Sequence, residues 1–205
     1  MSDLFHLDYR VAVVTGALGK LGPIWAGALL DAGARVVGLD HPHQEPGEAW
    51  RMLETQYGAE RLRLIKADVR NREELEQAAE KCQALFETPA ILVNNAGIDQ
   101  PPDQPGGGCR LEDIPLEINR QVFEVNTLGL FLVSQVFGKA MVRAGRGSII
   151  NIGSLYASVA PDSRFYDHIQ SGGCQPEPLS GDPLGVKRGS RQRAFPWGRV
   201  GRPGR

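Results

Sequence analysis

Three glycines at three-residue spacing carry the clearest chemistry in this chain. They lie in Thr15-Gly16-Ala17-Leu18-Gly19-Lys20-Leu21-Gly22. The apolar run Val11 to Val14 precedes them and reads as a buried strand. Pro23 to Leu30 follows, with apolar residues at helical spacing. Strand, glycine turn and helix N-terminus together make a phosphate site. Glycines let the backbone approach a pyrophosphate, and the helix end offers free N–H groups and a positive dipole end. Asp40 closes a second apolar run, Arg35 to Asp40, 18 residues beyond Gly22. A carboxylate there can accept hydrogen bonds from both hydroxyls of an adenosine ribose and repels a 2′-phosphate, which favours NAD over NADP. The plainer reading of Asp40 is a loop or N-cap aspartate.

The elements that must position these residues alternate. Gly47 to Tyr57 reads as a helix with Ala49, Trp50 and Leu53 on one face. Arg61 to Ala67 reads as a third strand, ending in Asp68-Val69. Asn71 to Phe86 reads as a helix with Asn71 as its N-cap, Glu73 and Glu74 in its first turn, and Leu75, Ala78, Ala79, Cys82, Leu85 and Phe86 as its apolar stripe. Ala90 to Val93 is a fourth strand, closed by Asn94-Asn95-Ala96-Gly97. A Pro- and Gly-rich loop runs from Ile98 to Cys109, after a strand carboxyl end, where ligands enter open α/β sheets. Ile114 to Arg143 reads as a long, largely buried helix with a break near its start. Ser148 to Ile152 is a fifth strand. This βαβαβαβαβ pattern predicts an α/β, doubly wound parallel sheet (a Rossmann fold) in the order 3-2-1-4-5. After about Pro161 the alternation stops, so the expected division is a nucleotide-binding domain over 1–165 and an irregular Gly/Pro/Arg-rich tail over 166–205.

Composition bounds the rest. The chain has 205 residues, 41% of them apolar, enough for one domain with a real core. Its net charge of −1 hides an asymmetry: residues 187–205 carry six Arg, one Lys and no acid, which leaves about −8 on the body. Cys82, Cys109 and Cys174 form neither an even framework nor a metal-binding pair, which suits reduced thiols, a cytoplasmic setting and no metal site. The first ten residues lack the apolar core of a signal peptide, and no unbroken apolar run approaches the length of a membrane span.

In order along the chain, the glycine turn, Asp40, Asp68-Val69, Asn94-Asn95-Ala96-Gly97, and Asn126 with Ser154 resemble the short-chain dehydrogenase/reductase family over about residues 8–160. Lys20 stands where the commonest form of the family's turn has its second glycine, a spacing similar to the family's extended branch, while the N-N-A-G run resembles the ordinary reductases. The resemblance implies an NAD(P)-dependent oxidoreductase working on an alcohol, ketone or sugar-derived hydroxyl of a small molecule, with homo-oligomers expected of intact members. It implies cofactor binding at Thr15, Gly16, Gly19, Lys20, Leu21, Gly22, Asp40, Asp68, Val69, Asn95, Ala96 and Gly97. It further implies that Ser154 orients the substrate oxygen, that Asn126 holds a water relay, and that a Tyr with a Lys four residues later moves the proton.

That last pair departs from the family. No Tyr-x-x-x-Lys occurs in the chain. Gln170 lies four residues after Tyr166, and Lys187 is preceded at that distance by Pro183. Tyr166, 12 residues after Ser154, is the fallback acid. A phenol without a neighbouring cation keeps its ordinary pKa of about 10, poorly matched to neutral pH. With permissible codons, Leu184 to Gly198 read one nucleotide later gives Ser-Ala-Ser-Lys-Gly-Ala-Ala-Val-Asn-Ala-Leu-Ser-Arg-Gly. That stretch resembles the one around the family's catalytic Lys, and the expectation is a frameshift near codons 170–184 and a truncated product. Loss of the family's later elements would leave strand five as an open edge with an uncovered apolar face. The alternative is a genuine basic tail. Its charge could meet phosphate-rich partners and Phe195 and Trp197 could stack on bases, but such tails are ordinarily solvated and nucleic acid is not the expected partner. Three outcomes stay open for the chain as written: a dehydrogenase using Tyr166, a dinucleotide-binding protein without turnover, and a non-functional product.

Overall fold

The computed structural model describes residues 6–98 and 115–154. Five strands form one parallel sheet in the order β3-β2-β1-β4-β5, as the alternation predicts. They are β1 (Val11–Thr15), β2 (Arg35–Asp40), β3 (Leu62–Lys66), β4 (Ile91–Asn94) and β5 (Ser148–Asn151). The helices are α1 (Gly22–Asp31), α2 (Glu48–Tyr57), α3 (Arg72–Leu85), α4 (Leu116–Phe123) and α5 (Leu130–Arg143). A six-residue π-helical segment, Glu124–Gly129, joins the last two.

Every residue of β1 is buried, because helices cover both faces of the sheet's centre. Val11 and Val13 point to one side, with Val37, Leu39, Leu75, Cys82, Val133 and Phe137. Ala12 and Val14 point to the other, with Ala26, Leu30, Val36, Trp50 and Leu62. Gly38 makes room for the largest of these side chains: a Cβ there would lie 2.3 Å from the Trp50 ring. Asn71 caps α3 as expected, its Oδ1 accepting from the Glu73 and Glu74 N–H groups at 3.0 and 3.3 Å. The Cys82 thiol is buried, which raises its pKa to about 12 and makes it a core residue rather than a nucleophile.

Three expectations need correction. Ala49 and Leu85 are exposed; the buried stripe of α2 is Trp50, flanked by Leu53 and Tyr57, and that of α3 is Leu75, Ala78 and Cys82. The long helix has no break near its start. It carries the π segment at its middle. It is also far from largely buried: α4 buries nothing, and only Val133, Val136, Phe137 and Met141 of α5 are fully covered. Phe123, Leu128, Phe131 and Val142 are exposed. Apolar residues on more than one face of a helix register what it can bury, not what covers it. The helix Leu116–Arg143, 28 residues, is also the one described element long and apolar enough, by length and composition, to cross a membrane. Its span is an average over a helix that includes Glu124, which is why no unbroken apolar run announces it. Here it packs against α3 and β4.

Candidate functional site

The direction of chain crossover reverses between β1 and β4, and the predicted site residues gather at the carboxyl ends of those two strands and of β2 and β3. Thr15 ends β1. Its hydroxyl donates to the Val93 carbonyl at 3.4 Å and accepts from the Asn95 and Ala96 N–H groups, both at 3.0 Å. Asn95 returns the contact through Nδ2, which donates to the Thr15 and Gly16 carbonyls at 3.0 and 3.1 Å. The turn after β1 is thereby fastened to the loop after β4.

The turn needs its glycines for different reasons. Gly16 has φ +62°, and a Cβ there would approach the Ala96 Cα to 2.8 Å. A Cβ at Gly22 would come within 2.3 Å of the Gly16 carbonyl. At Gly19 an added Cβ meets only that same carbonyl, at 3.3 Å. The space beyond Gly19 is open, a cradle that a side chain would fill and a phosphate suits. Lys20 and Leu21 stand exposed on its rim, and Leu21 is the N-cap of α1.

Asp40 closes β2 and faces the turn. One carboxylate oxygen accepts from the Leu18 N–H at 2.7 Å and the other from the His41 N–H at 2.8 Å. Each oxygen keeps a further lone pair for another donor. At the end of β3, Asp68 accepts from the Arg70 guanidinium at 2.6 Å and lies 3.7 Å from His41. Partial burial raises its pKa, but the hydrogen bonds and charge of Arg70, with a smaller part from His41, outweigh that and hold the carboxyl below its ordinary value. Val69 is buried against the π segment, where a Cβ on Gly129 would lie 2.8 Å from its side chain.

Asn126 sits inside the π segment. Its Oδ1 accepts from the Ile98 N–H and its Nδ2 donates to the Ile98 carbonyl, both at 2.8 Å. The side chain therefore clamps the start of the loop after Gly97. Each end of the amide keeps one further hydrogen-bonding position, since its nitrogen carries two N–H groups and its oxygen two lone pairs. Ser154 lies exposed three residues beyond β5. Tyr166, Lys187, the loop 99–114 and the basic tail lie outside the described residues.

Two features escaped the sequence reading. Trp25 Nε1 donates to Asn95 Oδ1 at 3.1 Å. Asn94, buried at the end of β4, donates to Ser134 Oγ at 2.9 Å and Asn151 Oδ1 at 2.8 Å, and its own Oδ1 has no partner among the described residues. An indole, apolar in body with one N–H donor, in the first turn of a helix beside a polar loop was the signal available for the first. For the second it was an asparagine at the same edge of two neighbouring strands.

A family profile described as short chain dehydrogenase matches residues 10–164. The chain belongs to the short-chain dehydrogenases. It is 36% identical over 163 residues to a D-threitol dehydrogenase of Mycolicibacterium smegmatis, covering 77% of this chain and 57% of that one. It is 29% identical over 158 residues to an NAD-dependent glycerol dehydrogenase of Listeria innocua, covering 77% and 58%. A crystal structure of a short-chain type dehydrogenase/reductase from Mycobacterium marinum superposes with a TM-score of 0.66 at 26% identity, covering 78% and 61%. The chain thus spans less than two thirds of the length of these short-chain dehydrogenases. The family binds NAD(P), and the glycine cradle, Asp40 and the strand-four loop are a donor and acceptor set that fits it.

Proposed function

We propose that this chain holds NAD across the carboxyl ends of β1 to β4, as the cofactor-binding part of an oxidoreductase for the hydroxyl of a polyol or sugar alcohol, or the matching ketone. One observation carries the cofactor choice: Asp40 bridges the glycine turn and the end of β2 with a carboxylate that has lone pairs to spare. The ribose hydroxyls are the donors that carboxylate suits, and a 2′-phosphate would meet its charge. Thr15, Gly16, Gly19, Lys20, Leu21 and Gly22 form the pyrophosphate cradle. Asp68 and Val69 flank the adenine, and Asn95, Ala96 and Gly97 flank the nicotinamide end. When bound, NAD supplies the hydride acceptor for the alcohol. Ser154 orients the substrate oxygen, and Asn126 fixes the Ile98 backbone from which the substrate loop departs. The names of the threitol and glycerol dehydrogenases support a polyol as the substrate class.

The proton step lacks its usual pair, since Tyr166 has no lysine four residues on. The 205-residue chain is therefore read as binding NAD with little or no turnover. The test is titration of this chain with NADH and NADPH by fluorescence, beside turnover on threitol and glycerol. NADH binding is expected, lost in Gly16→Val and weakened about tenfold in Asp40→Asn, the cost of one charge-assisted hydrogen bond. No NADH binding by the parent chain, or equal binding of NADPH, would sink the reading. Turnover abolished by Tyr166→Phe would restore a working acid. Accurate sequencing across codons 165–205 decides whether the basic tail is real or a shifted frame.

A further inference from the structure

We infer that Trp25 is a positioning residue for the dinucleotide site, acting through the orientation of the Asn95 amide; the inference rests on the proposed cofactor reading for its effect on binding, but not for its geometry. An indole N–H can only donate. The Asn95 atom facing Trp25 Nε1 at 3.1 Å must therefore be the oxygen. That fixes Nδ2 on the opposite side, where it donates to the Thr15 and Gly16 carbonyls at 3.0 and 3.1 Å. Turned over, the amide would set its nitrogen against the indole donor and its oxygen against two carbonyls, losing three hydrogen bonds at once. Trp25 thus supplies one of the three bonds that hold the orientation pinning the turn, and it alone holds the amide from the oxygen side.

The indole reaches Asn95 from a fixed place. Trp25 lies in the first turn of α1, half-buried against the cluster of Ala12, Val14, Ala26 and Leu30. Its backbone N–H donates to the Leu21 carbonyl at 3.1 Å. Helix, turn and strand-four loop are thereby joined at three points: Trp25 to Asn95, Asn95 to Thr15 and Gly16, and the Thr15 hydroxyl to the Asn95 and Ala96 N–H groups.

The experiment uses the full 205-residue chain and Trp25→Phe, which keeps an aromatic body and removes the donor. Without any cofactor, amide exchange at Asn95 and Ala96 is expected to speed up severalfold in Trp25→Phe, while exchange in α3 stays as in the parent. The indole Nε1–H of Trp25 is expected to be protected in the parent and to lose that protection in Asn95→Ala, a readout that serves if Trp25→Phe does not fold. NADH affinity is expected to fall about three- to tenfold in Trp25→Phe at unchanged melting temperature, with no further loss when Trp25→Phe is added to Asn95→Ala. An unprotected indole N–H in the parent, or unchanged exchange at Asn95 and Ala96 in Trp25→Phe, overturns the inference. Failure of the parent to bind NADH sinks the cofactor reading alone, since the exchange measurements still decide whether Trp25 holds the amide.

Discussion

The two sides of this sheet are finished to different degrees. Around β1, β2, α1 and α2, Ile24 and Met52 are exposed, but the apolar strand residues are buried and the strand-end polar groups have partners: Trp50 fills the space over Gly38 and donates to Glu54 at 2.9 Å, and Asp40, Thr15 and Asn95 exchange bonds across the strand ends. Around β5 and the long helix, Phe123, Leu128 and Phe131 are exposed, every residue of β5 is exposed, and Ile149 and Ile150 are 42% and 44% accessible. Among the described residues β5 pairs with β4 alone. The first side meets both needs of a buried sheet, apolar cover and satisfied polar ends. The second has apolar surface still in search of cover, the property that drives association. The proposed cofactor site lies along the strand ends and this exposed apolar surface at the β5 edge, so the two should respond to mutation separately.

Four measurements break or sharpen that contrast. Trp50→Ala should cost the most stability, about 3–5 kcal/mol by urea denaturation, as expected when a large buried aromatic is truncated. A loss under about 1 kcal/mol would mean that the α2 side is no better packed than the other. Asn71→Ala should cost about 1 kcal/mol, through two N–H groups of α3 left without their cap. Asp68 adds a smaller, pH-dependent share. Its folded pKa is below its unfolded value, so its contribution is present above the unfolded value and fades as pH falls through the folded one. Urea midpoints taken from pH 6 down to pH 3 should therefore fall less steeply at the acid end in Asp68→Asn than in the parent. Phe131→Ser should change stability least, within about 0.5 kcal/mol, because its side chain is already exposed. The same variant should reduce aggregation in light scattering. A Phe131→Ser cost like that of Trp50→Ala would show the face to be covered in solution and would erase the contrast.

Much of the fold was readable because parallel central strands, buried on both faces, appear in sequence as short apolar runs, and because Asn71 with Glu73 and Glu74 writes a helix start in residue types. The cradle was readable for a related reason: Gly16 and Gly22 stand where no side chain fits. What stayed hidden depends on neighbours far along the chain. Gly38 looks like a weak strand residue until Trp50 is placed over it. The Trp25–Asn95 bond spans 70 residues. Ala49 and Leu85 sit at the margins of their helical stripes, where a small rotation decides exposure. The exposure of Phe131 followed from no residue type at all, since hydrophobicity records the wish for a partner and not its presence.

The π segment has one more consequence. Each turn of it holds an extra residue, so the side chains of α5 are rotated against those of α4 by about the angle of one residue, roughly 100°. Leu116 to Phe123 and Leu130 to Arg143 therefore follow two different phases within one continuous rod. With that offset the same helix presses Gly129 against Val69, turns Val133 and Phe137 onto the sheet and aims Asn126 at the Ile98 backbone. Deleting a single residue between Glu124 and Gly129 would restore an ordinary helix and put the two halves in step. Either the sheet contacts or the Ile98 clamp would then have to be given up.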